Sequence, residues 1–254
     1  FFVLSHISLD NLTCDNSRIL KSLNQYELYK KIINLPGDII ECGVYKGGSL
    51  IRMATFRDAL EVESSRKIIA FDAFGSFPRT SSEVDDGFIE QFEKEGGDGV
   101  SISELGECLK YKKINNVELI KGDINSTLEE YIVNNPALKV ALLHIDVDVE
   151  KPTKTILKNL YNRVVPGGLI VFDDYGVIHG ETKAVDDFFV NMNIKIQKLP
   201  FSRTPVFIVK EWLCISNIVF LTSDNGKKFD YYQYFVKQLD VQNIFFWSRF
   251  IIEK

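Results

Sequence analysis

Residues 142–176, "LLHIDVDVEKPTKTILKNLYNRVVPGGLIVFDDYG", hold two apolar runs with a helix-like segment between them. The first run ends in Asp146 and Asp148, and the second ends in Asp173 and Asp174. A strand, a crossover helix and a second strand make the two strands parallel, so their carboxyl ends meet at the same edge of a sheet. The stretch therefore predicts an α/β protein with four carboxylates at one edge of a parallel sheet.

The same alternation of strand and helix continues along the chain from residue 38. Continuous apolar runs between helical segments are typical of parallel strands that are covered on both faces. They predict a doubly wound, mostly parallel sheet that binds its ligands at the carboxyl ends of the strands. We also predict a tight turn at residues 166–168, before the fifth strand. The predicted strands are residues 38–44, 67–74, 117–123, 139–147 and 168–174, and the predicted helices include residues 47–60, 125–135 and 153–164.

Two segments do not follow this alternation. Residues 79–116 are polar with scattered aromatics, and an insertion this long at the ligand edge is more typical of a lid or substrate loop than of a passive linker. Residues 211–254 contain the run "IFFWSRFII", which fits either an element that completes the core or a contact between subunits. We therefore expect one domain over residues 1–210, with N-terminal helices and a lid at 79–116, and a C-terminal extension at 211–254.

The composition narrows the class of protein. The 254 residues are 45% hydrophobic and 26% charged, which suits one α/β domain with an appendage, and the net charge of -5 argues against a nucleic-acid or anionic-membrane partner. No apolar run reaches the roughly 18 residues of a membrane span, and no signal peptide is recognisable. The cysteines lie far apart, which indicates reduced thiols in a cytoplasmic protein rather than a disulfide framework or a zinc site. They are Cys14, Cys42, Cys108 and Cys214.

A glycine-rich turn, "ECGVYKGGS" at residues 41–49, follows the first predicted strand. Its glycines, Gly43, Gly47 and Gly48, let the backbone approach a ligand, and the next helix offers its free N–H groups. The spacing is not that of a dinucleotide fingerprint. Glu41 would repel a pyrophosphate and attract an ammonium group, which favours a cationic cofactor such as S-adenosylmethionine over NAD.

Acids at the ends of the next two strands support the same interpretation. Asp72 can hold the two hydroxyl groups of a ribose, and Asp123 can accept a hydrogen bond from an adenine amino group. The alternative is a tight turn between strand and helix, with these acids on the surface.

The four aspartates of residues 142–176 predict a cation site. Their mutual repulsion would raise their pKa values or open the fold unless a cation offsets it. Oxygen ligands without cysteine or clustered histidine suit Mg²⁺ or Mn²⁺ better than zinc. Under the alternative interpretation Asp174 caps a helix and the other acids face solvent.

Two histidines lie close to this predicted site. His144 is inside the fourth strand, and we expect a core residue that bonds to the backbone. His179 follows the second acid pair on a predicted loop over the site, where it could bind an acceptor or serve as an auxiliary base.

Six motifs together resemble one enzyme family. They are "ECGVYKGGS", "FDAFGSFP", "KGD", "HIDVDVEKPT", "VPGGLIVFDDYG" and "KAVDDFF", between about residues 39 and 210. This set resembles the TylF-like, macrocin O-methyltransferase type enzymes. The resemblance implies a Rossmann-like class I methyltransferase fold and the transfer of a methyl group from S-adenosylmethionine to a sugar hydroxyl of a natural product or glycan, with Mg²⁺.

The resemblance also implies roles for individual residues. Asp146, Asp173 and Asp174 correspond to the metal ligands, and Asp148 corresponds to the general base. The chain departs from the family pattern at Glu150, where a tyrosine is usual. The residues expected around the cofactor are Glu41, Gly43, Tyr45, Gly47, Gly48, Ser49, Asp72, Phe74, Asp123, Ile124 and Asp146.

Three other functions fit parts of the pattern. A catechol-type O-methyltransferase would share the cofactor, metal and sheet but take an aromatic acceptor. A DxD-type glycosyltransferase would use "DVD" on a metal that bridges a nucleotide diphosphate, and it would not need the glycine turn or the "FDDYG" pair. The third is a catalytically silent assembly subunit. As partners we expect a small-molecule or glycan hydroxyl acceptor, no nucleic acid and a second copy of the chain in a dimer or larger homo-oligomer.

Overall fold

The computed structural model describes residues 16–78 and 83–211, which form a seven-stranded sheet in the order β3-β2-β1-β4-β5-β7-β6. Strands β1 to β5 pair in parallel, and β7 runs antiparallel to β5 and β6. The strands are β1 (Asp38–Cys42), β2 (Ile68–Asp72), β3 (Val117–Lys121), β4 (Val140–Ile145), β5 (Val164–Phe172), β6 (Gln197–Lys198) and β7 (Val206–Val209). The doubly wound, mostly parallel α/β sheet expected from the sequence is confirmed.

The helices cover both faces of this sheet because successive strand residues point to opposite sides. Ile40 and Leu143 pack under α5, α6 and α7, whereas Ile39 and Leu142 pack under α1, α2 and α4. The order reverses between β1 and β4, which is where doubly wound sheets bind ligands. The helices are α1 (Asn16–Lys30), α2 (Gly48–Leu60), α3 (Glu83–Gly96), α4 (Ile102–Tyr111), α5 (Ile124–Asn134), α6 (Glu150–Leu160) and α7 (His179–Phe189).

The turn predicted at residues 166–168 is wrong. Strand β5 already begins at Val164, and these residues form an irregularity inside it, where the register against β4 shifts. A Cβ on Gly168 would lie 2.8 Å from the carbonyl oxygen of Val165 and 2.9 Å from that of Ala141. Gly168 therefore allows other backbone segments to approach it closely within the sheet. Residues 166–168 do not form a turn before the strand.

The insertion at residues 79–116 is largely helical rather than a loop, because it contains α3 and α4. Helix α4 begins with a capping box: Glu104 N donates to Ser101 Oγ at 3.2 Å, and Ser101 N donates to Glu104 Oε2 at 3.0 Å. The sequence carried this signal as a serine three residues before a glutamate.

Helix α1 agrees with the expected N-terminal helical region, whereas the extension from residue 212 onward lies outside the described residues. No helix in the described ranges is both long and apolar enough to cross a bilayer.

Gly43 supplies a direct test of how tightly the strand ends pack. Its φ is +89°, and a Cβ there would lie 1.8 Å from the carbonyl oxygen of Asp146. We expect Gly43→Ala to lower the free energy of unfolding by roughly 2–4 kcal/mol through backbone strain and this clash. Urea unfolding at fixed pH measures the change.

The matched control is Gly106→Ala in the interior of α4, where the added Cβ meets no neighbour within 4 Å. That variant should gain about 0.5–1 kcal/mol, because alanine is the better helix residue. Equal effects of the two substitutions would contradict the close approach.

Candidate active site

A cavity of about 700 Å³ opens at the carboxyl ends of β1, β2, β4 and β5. The glycine turn and Asp72 line one part of it, and the four aspartates after β4 and β5 line another. The insertion contributes an aromatic wall of Phe88 and Phe92. The cavity thus lies at the carboxyl ends of the strands, as the sequence predicts, and where the strand order reverses.

Asp72 organises the cavity wall near the glycine turn. Its Oδ2 accepts from Val44 N at 2.6 Å and from Tyr45 N at 3.1 Å, and its Oδ1 accepts from Phe74 N at 2.6 Å. Tyr45 and Phe74 both have a φ of +50°, a left-handed conformation that is uncommon for aromatic residues. The Asp72 carboxylate therefore holds two strained loops and still lines the cavity, where further lone pairs can face a ligand.

Asp123 and Ile124 also reach the cavity at the start of α5. Asp123 Oδ1 caps the helix by accepting from Asn125 N at 2.9 Å and from Asn125 Nδ2 at 2.8 Å. Asp123 is predicted to accept a hydrogen bond from an adenine amino group, and one of its two carboxylate oxygens already caps the helix.

Several residues of the glycine turn lie behind the cavity rather than on its wall. The Glu41 side chain is fully buried, accepts a short hydrogen bond from Ser49 Oγ and does not line the cavity. Gly47 and Gly48 begin α2, also away from the wall. Of the turn, the cavity wall includes Gly43 and Tyr45 but not Glu41, whose contact with an ammonium group stays a prediction.

The four aspartates after β4 and β5 all line the cavity. Asp146, Asp148 and Asp174 each offer an oxygen within 4.8 Å of the other two. A second group, with the same spacing, consists of His144, Asp146 and Asp173. Asp146 belongs to both groups, so it would be a ligand of the ion in either arrangement.

The crowding of these acids changes their proton affinity as the sequence predicts. Burial, together with the charge of Asp173, raises the pKa of Asp146 to about 8. Burial and the charges of Asp146 and Asp174 raise the pKa of Asp148 to about 9. The pKa of Asp174 is also raised, by burial and by Asp173. Without a cation, the cluster therefore retains protons near neutral pH.

Asp173 differs from the other three because protein cations flank it. Lys21 Nζ lies 2.6 Å from its Oδ2, and His144 Nε2 lies 3.5 Å from its Oδ1. Burial works against the charged carboxylate, but His144 and Lys21 outweigh it and lower the pKa of Asp173 to about 2. Lys21 belongs to α1, far away in the sequence, and no local pattern marked it as part of the site.

His144 does not bond to the backbone as expected. Its Nδ1 lies 3.4 Å from Glu41 Oε1, so the buried ring stands between Glu41 and Asp173. Neither nitrogen makes a well-formed hydrogen bond with the described residues, and both contacts are those of a loose ion pair. Burial opposes the charged ring, yet the two carboxylates raise the pKa of His144 to about 10.

The backbone at Asp148 is strained. Its φ is +62°, and Val149 N donates to Val147 O at 2.6 Å across it, which closes a three-residue turn. Non-glycine residues in such conformations cluster at functional sites. The turn directs the Asp148 side chain to the cavity wall.

His179, a candidate from the sequence, and Glu150, where the chain departs from the family pattern, do not line the cavity. His179 is exposed at the first residue of α7, and Ile178 takes its place on the cavity wall. Glu150 pairs on the surface with Lys154 at 2.5 Å and Lys183 at 2.6 Å.

Helix α3 of the insertion contacts the first residues of α6 and α7. Asp85 in α3 is buried, and its Oδ2 accepts from Glu150 N, the first residue of α6, at 3.2 Å. A Cβ on Gly180 in α7 would lie 2.7 Å from Asp85 Oδ1. Helix α3 therefore packs against the start of both helices that follow the aspartate pairs.

A family model described as Macrocin-O-methyltransferase (TylF) matches residues 17–207 of the chain. The chain belongs to the TylF macrocin O-methyltransferase family. The resemblance inferred from the sequence motifs is thereby confirmed, and it extends to helix α1, which precedes the first of those motifs.

The chain is also similar to individual O-methyltransferases. The chain is 25% identical over 177 residues to the demethyldecarbamoylnovobiocin O-methyltransferase of Streptomyces niveus, covering 68% of this chain and 66% of that enzyme. It is 28% identical over 147 residues to the 8-demethyl-8-(2,3-dimethoxy-alpha-L-rhamnosyl)-tetracenomycin-C 4'-O-methyltransferase of Streptomyces olivaceus, covering 56% and 54%. The chain thus spans less than two thirds of the length of either enzyme.

The fold agrees with a solved structure of an O-methyltransferase. The structure of the O-methyltransferase NovP superposes with a TM-score of 0.65 at 24% identity, covering 76% of this chain and 80% of that one. This similarity confirms the class I methyltransferase fold.

The acidic cluster predicts how stability depends on pH. Folded Asp146 and Asp148 keep their protons up to pKa values of about 8 and about 9, whereas their usual value is 3.8. The folded state therefore binds more protons than the unfolded chain in this window, so stability falls as pH rises. In EDTA, the free energy of unfolding in urea should drop by at least about 2 kcal/mol between pH 6 and pH 9.

His144, with a folded pKa of about 10, contributes to this trend with the same sign. Asp148→Asn removes one titrating carboxyl group. The free energy of unfolding of this variant should therefore decrease less between pH 6 and pH 9 than that of the wild type. A wild-type stability that stays constant or rises with pH would contradict the crowding described above.

Proposed function

We propose that this TylF chain transfers the methyl group of S-adenosylmethionine to a hydroxyl group of a sugar in a natural product or glycan. The observation that carries the proposal is a single cavity with Asp72 and Gly43 on one part of its wall and four aspartates on another. Such a cavity can hold a nucleoside and an acceptor hydroxyl side by side. The name of the Streptomyces olivaceus relative, which specifies a rhamnosyl group, favours a sugar acceptor.

We further propose a divalent cation, Mg²⁺ or Mn²⁺, among the aspartates. The donors are carboxylate oxygens, and burial and crowding raise the pKa values of Asp146 and Asp174 above their usual range, as expected where a cation offsets repulsion. Asp146, Asp173 and Asp174 would hold the ion. When bound, such an ion stabilises negative charge that develops on an acceptor oxygen.

The other residues bind, orient and accept the proton. Asp72 would hold the ribose hydroxyls, because its carboxylate is already fixed by three backbone N–H groups. Asp148 would accept the proton of the acceptor hydroxyl, because it lies on the cavity wall beside Asp146 and Asp174, where a bound cation would keep its carboxyl group deprotonated. Phe88 and Phe92 on α3 would exclude water from that side. Methyl transfer itself mainly requires the hydroxyl to lie in line with the activated methyl group.

Family membership favours methyl transfer over the DxD-type glycosyltransferase and over a silent subunit. The catechol-type alternative differs in the acceptor, so a direct comparison separates it. Under the proposal, methyl transfer from labelled cofactor should go to rhamnosyl-containing products in preference to catechol. A preference for catechol would favour the alternative.

The cofactor assignment predicts the effect of Asp72→Ala. Loss of the ribose acceptor should weaken S-adenosylhomocysteine binding by about 1–3 kcal/mol, the usual cost of unpairing buried hydrogen-bonding groups. Calorimetric titration of the folded variant measures this. Glu107→Ala, on the exposed part of α4, is the matched control and should bind as the wild type does. Unchanged affinity in Asp72→Ala would remove this residue from the cofactor site.

The roles of the aspartates predict two kinds of variant. Asp146→Asn, Asp173→Asn and Asp174→Asn should each weaken Mg²⁺ binding, and high metal concentration should partly restore their activity. Asp148→Asn should bind metal and cofactor but turn over roughly 10²–10⁴-fold more slowly, without recovery at high metal, because a general base is lost. Steady-state rates over a range of Mg²⁺ concentrations distinguish the two kinds.

Two results would contradict these roles. Wild-type activity that is indifferent to EDTA would remove the ion from the mechanism. Recovery of Asp148→Asn at high metal would make Asp148 a ligand, in agreement with its closeness to Asp146 and Asp174.

A further inference from the structure

Glu181 is a buried carboxyl group directly behind the acidic cluster. It lies in the first turn of α7, its side chain is fully buried, and it does not line the cavity. Its Oε2 has no hydrogen-bond partner among the described residues. Burying an unpaired carboxyl oxygen destabilises a fold, so packing alone gives no reason for an acid at this position.

Glu181 bonds to both of the turns that carry the aspartates. Its backbone N–H donates to the carbonyl oxygen of Asp148 at 3.0 Å. Its Oε1 accepts from the backbone N–H of Asp174 at 3.0 Å. One residue thus connects the turn after β4 with the turn after β5.

These two bonds lie beyond the end of the sheet. Strands β4 and β5 pair as far as Ile145 and Phe172, and the bond from Asp173 N to Ile145 O at 3.0 Å continues this pairing by one residue. Past that point the two segments enter separate turns, so the sheet no longer sets the distance between them. Glu181 supplies the connection where the ladder stops.

We propose that Glu181 is a positioning residue that fixes Asp174 in the cation site relative to Asp148, the proton acceptor. The inference rests on the proposed function. Glu181 acts through the backbones of these two residues and touches neither acceptor nor cofactor. Groups that orient metal ligands in this way typically contribute about 10–100-fold to metal affinity or activity.

Three substitutions separate the hydrogen bond from the charge. Glu181→Leu removes the acceptor of the Asp174 N–H, and Glu181→Asp shortens the side chain so that the carboxylate no longer reaches it. Glu181→Gln keeps an acceptor oxygen at the same reach and removes the charge. Asp187→Asn, an exposed acid on the same helix, is the matched control.

Calorimetric titration of the full chain with Mn²⁺, and separately with S-adenosylhomocysteine, tests the inference. Mn²⁺ affinity should fall about 10–100-fold in Glu181→Leu and Glu181→Asp and should stay at the wild-type value in Glu181→Gln and Asp187→Asn. Affinity for S-adenosylhomocysteine should stay unchanged in all four, because Asp72 lies on another part of the cavity wall. A general loss of structure would lower both affinities.

Wild-type Mn²⁺ affinity in a folded Glu181→Asp would overturn the role of Glu181 and leave the proposed function intact. A wild-type chain that binds neither Mn²⁺ nor Mg²⁺ would overturn both. If Glu181→Leu does not fold, the comparison of Glu181→Asp with Glu181→Gln decides, and equal Mn²⁺ affinities in that pair would overturn the inference.

Discussion

Repulsion among four carboxylates at one edge of the sheet governs the structure around the cavity. Parallel pairing of β4 and β5 brings the acids together whatever they do chemically, because both strands end at the same edge. Lys21 and His144 offset the negative charge of Asp173. The raised pKa of Asp146 lets this carboxyl group keep its proton, which reduces the repulsion further. Crowded and buried carboxylates destabilise a fold, so their presence at one place indicates a functional site.

The five parallel strands β1 to β5, their order along the chain and the aspartates after β4 and β5 could be predicted from the sequence. Apolar runs that end in acids are local signals, and the rules for parallel sheets translate them directly into neighbouring positions. Helix α4 of the insertion could also have been predicted, since Ser101 and Glu104 form a recognisable capping box.

Other features of the site could not be predicted because they depend on packing between distant segments. Lys21 approaches Asp173 from a helix more than a hundred residues earlier in the chain. The surroundings of Glu41 depend on which face of the sheet its side chain points to at the end of β1. Neighbouring residues of a strand point to opposite faces, so an error of one position in the predicted register exchanges a buried side chain for a ligand contact. His144 was correctly expected inside the sheet, but its carboxylate neighbours come from β1 and from the end of β5.

The attachment of α3 joins the insertion to the segment that carries Asp148. Asp85 accepts the first backbone N–H of α6, two residues after Asp148, and so satisfies one of the N–H groups that a helix start leaves without a partner. Helix α3 also carries Phe88 and Phe92 on the cavity wall. One helix therefore shapes the apolar side of the cavity and supports the backbone behind the strained turn.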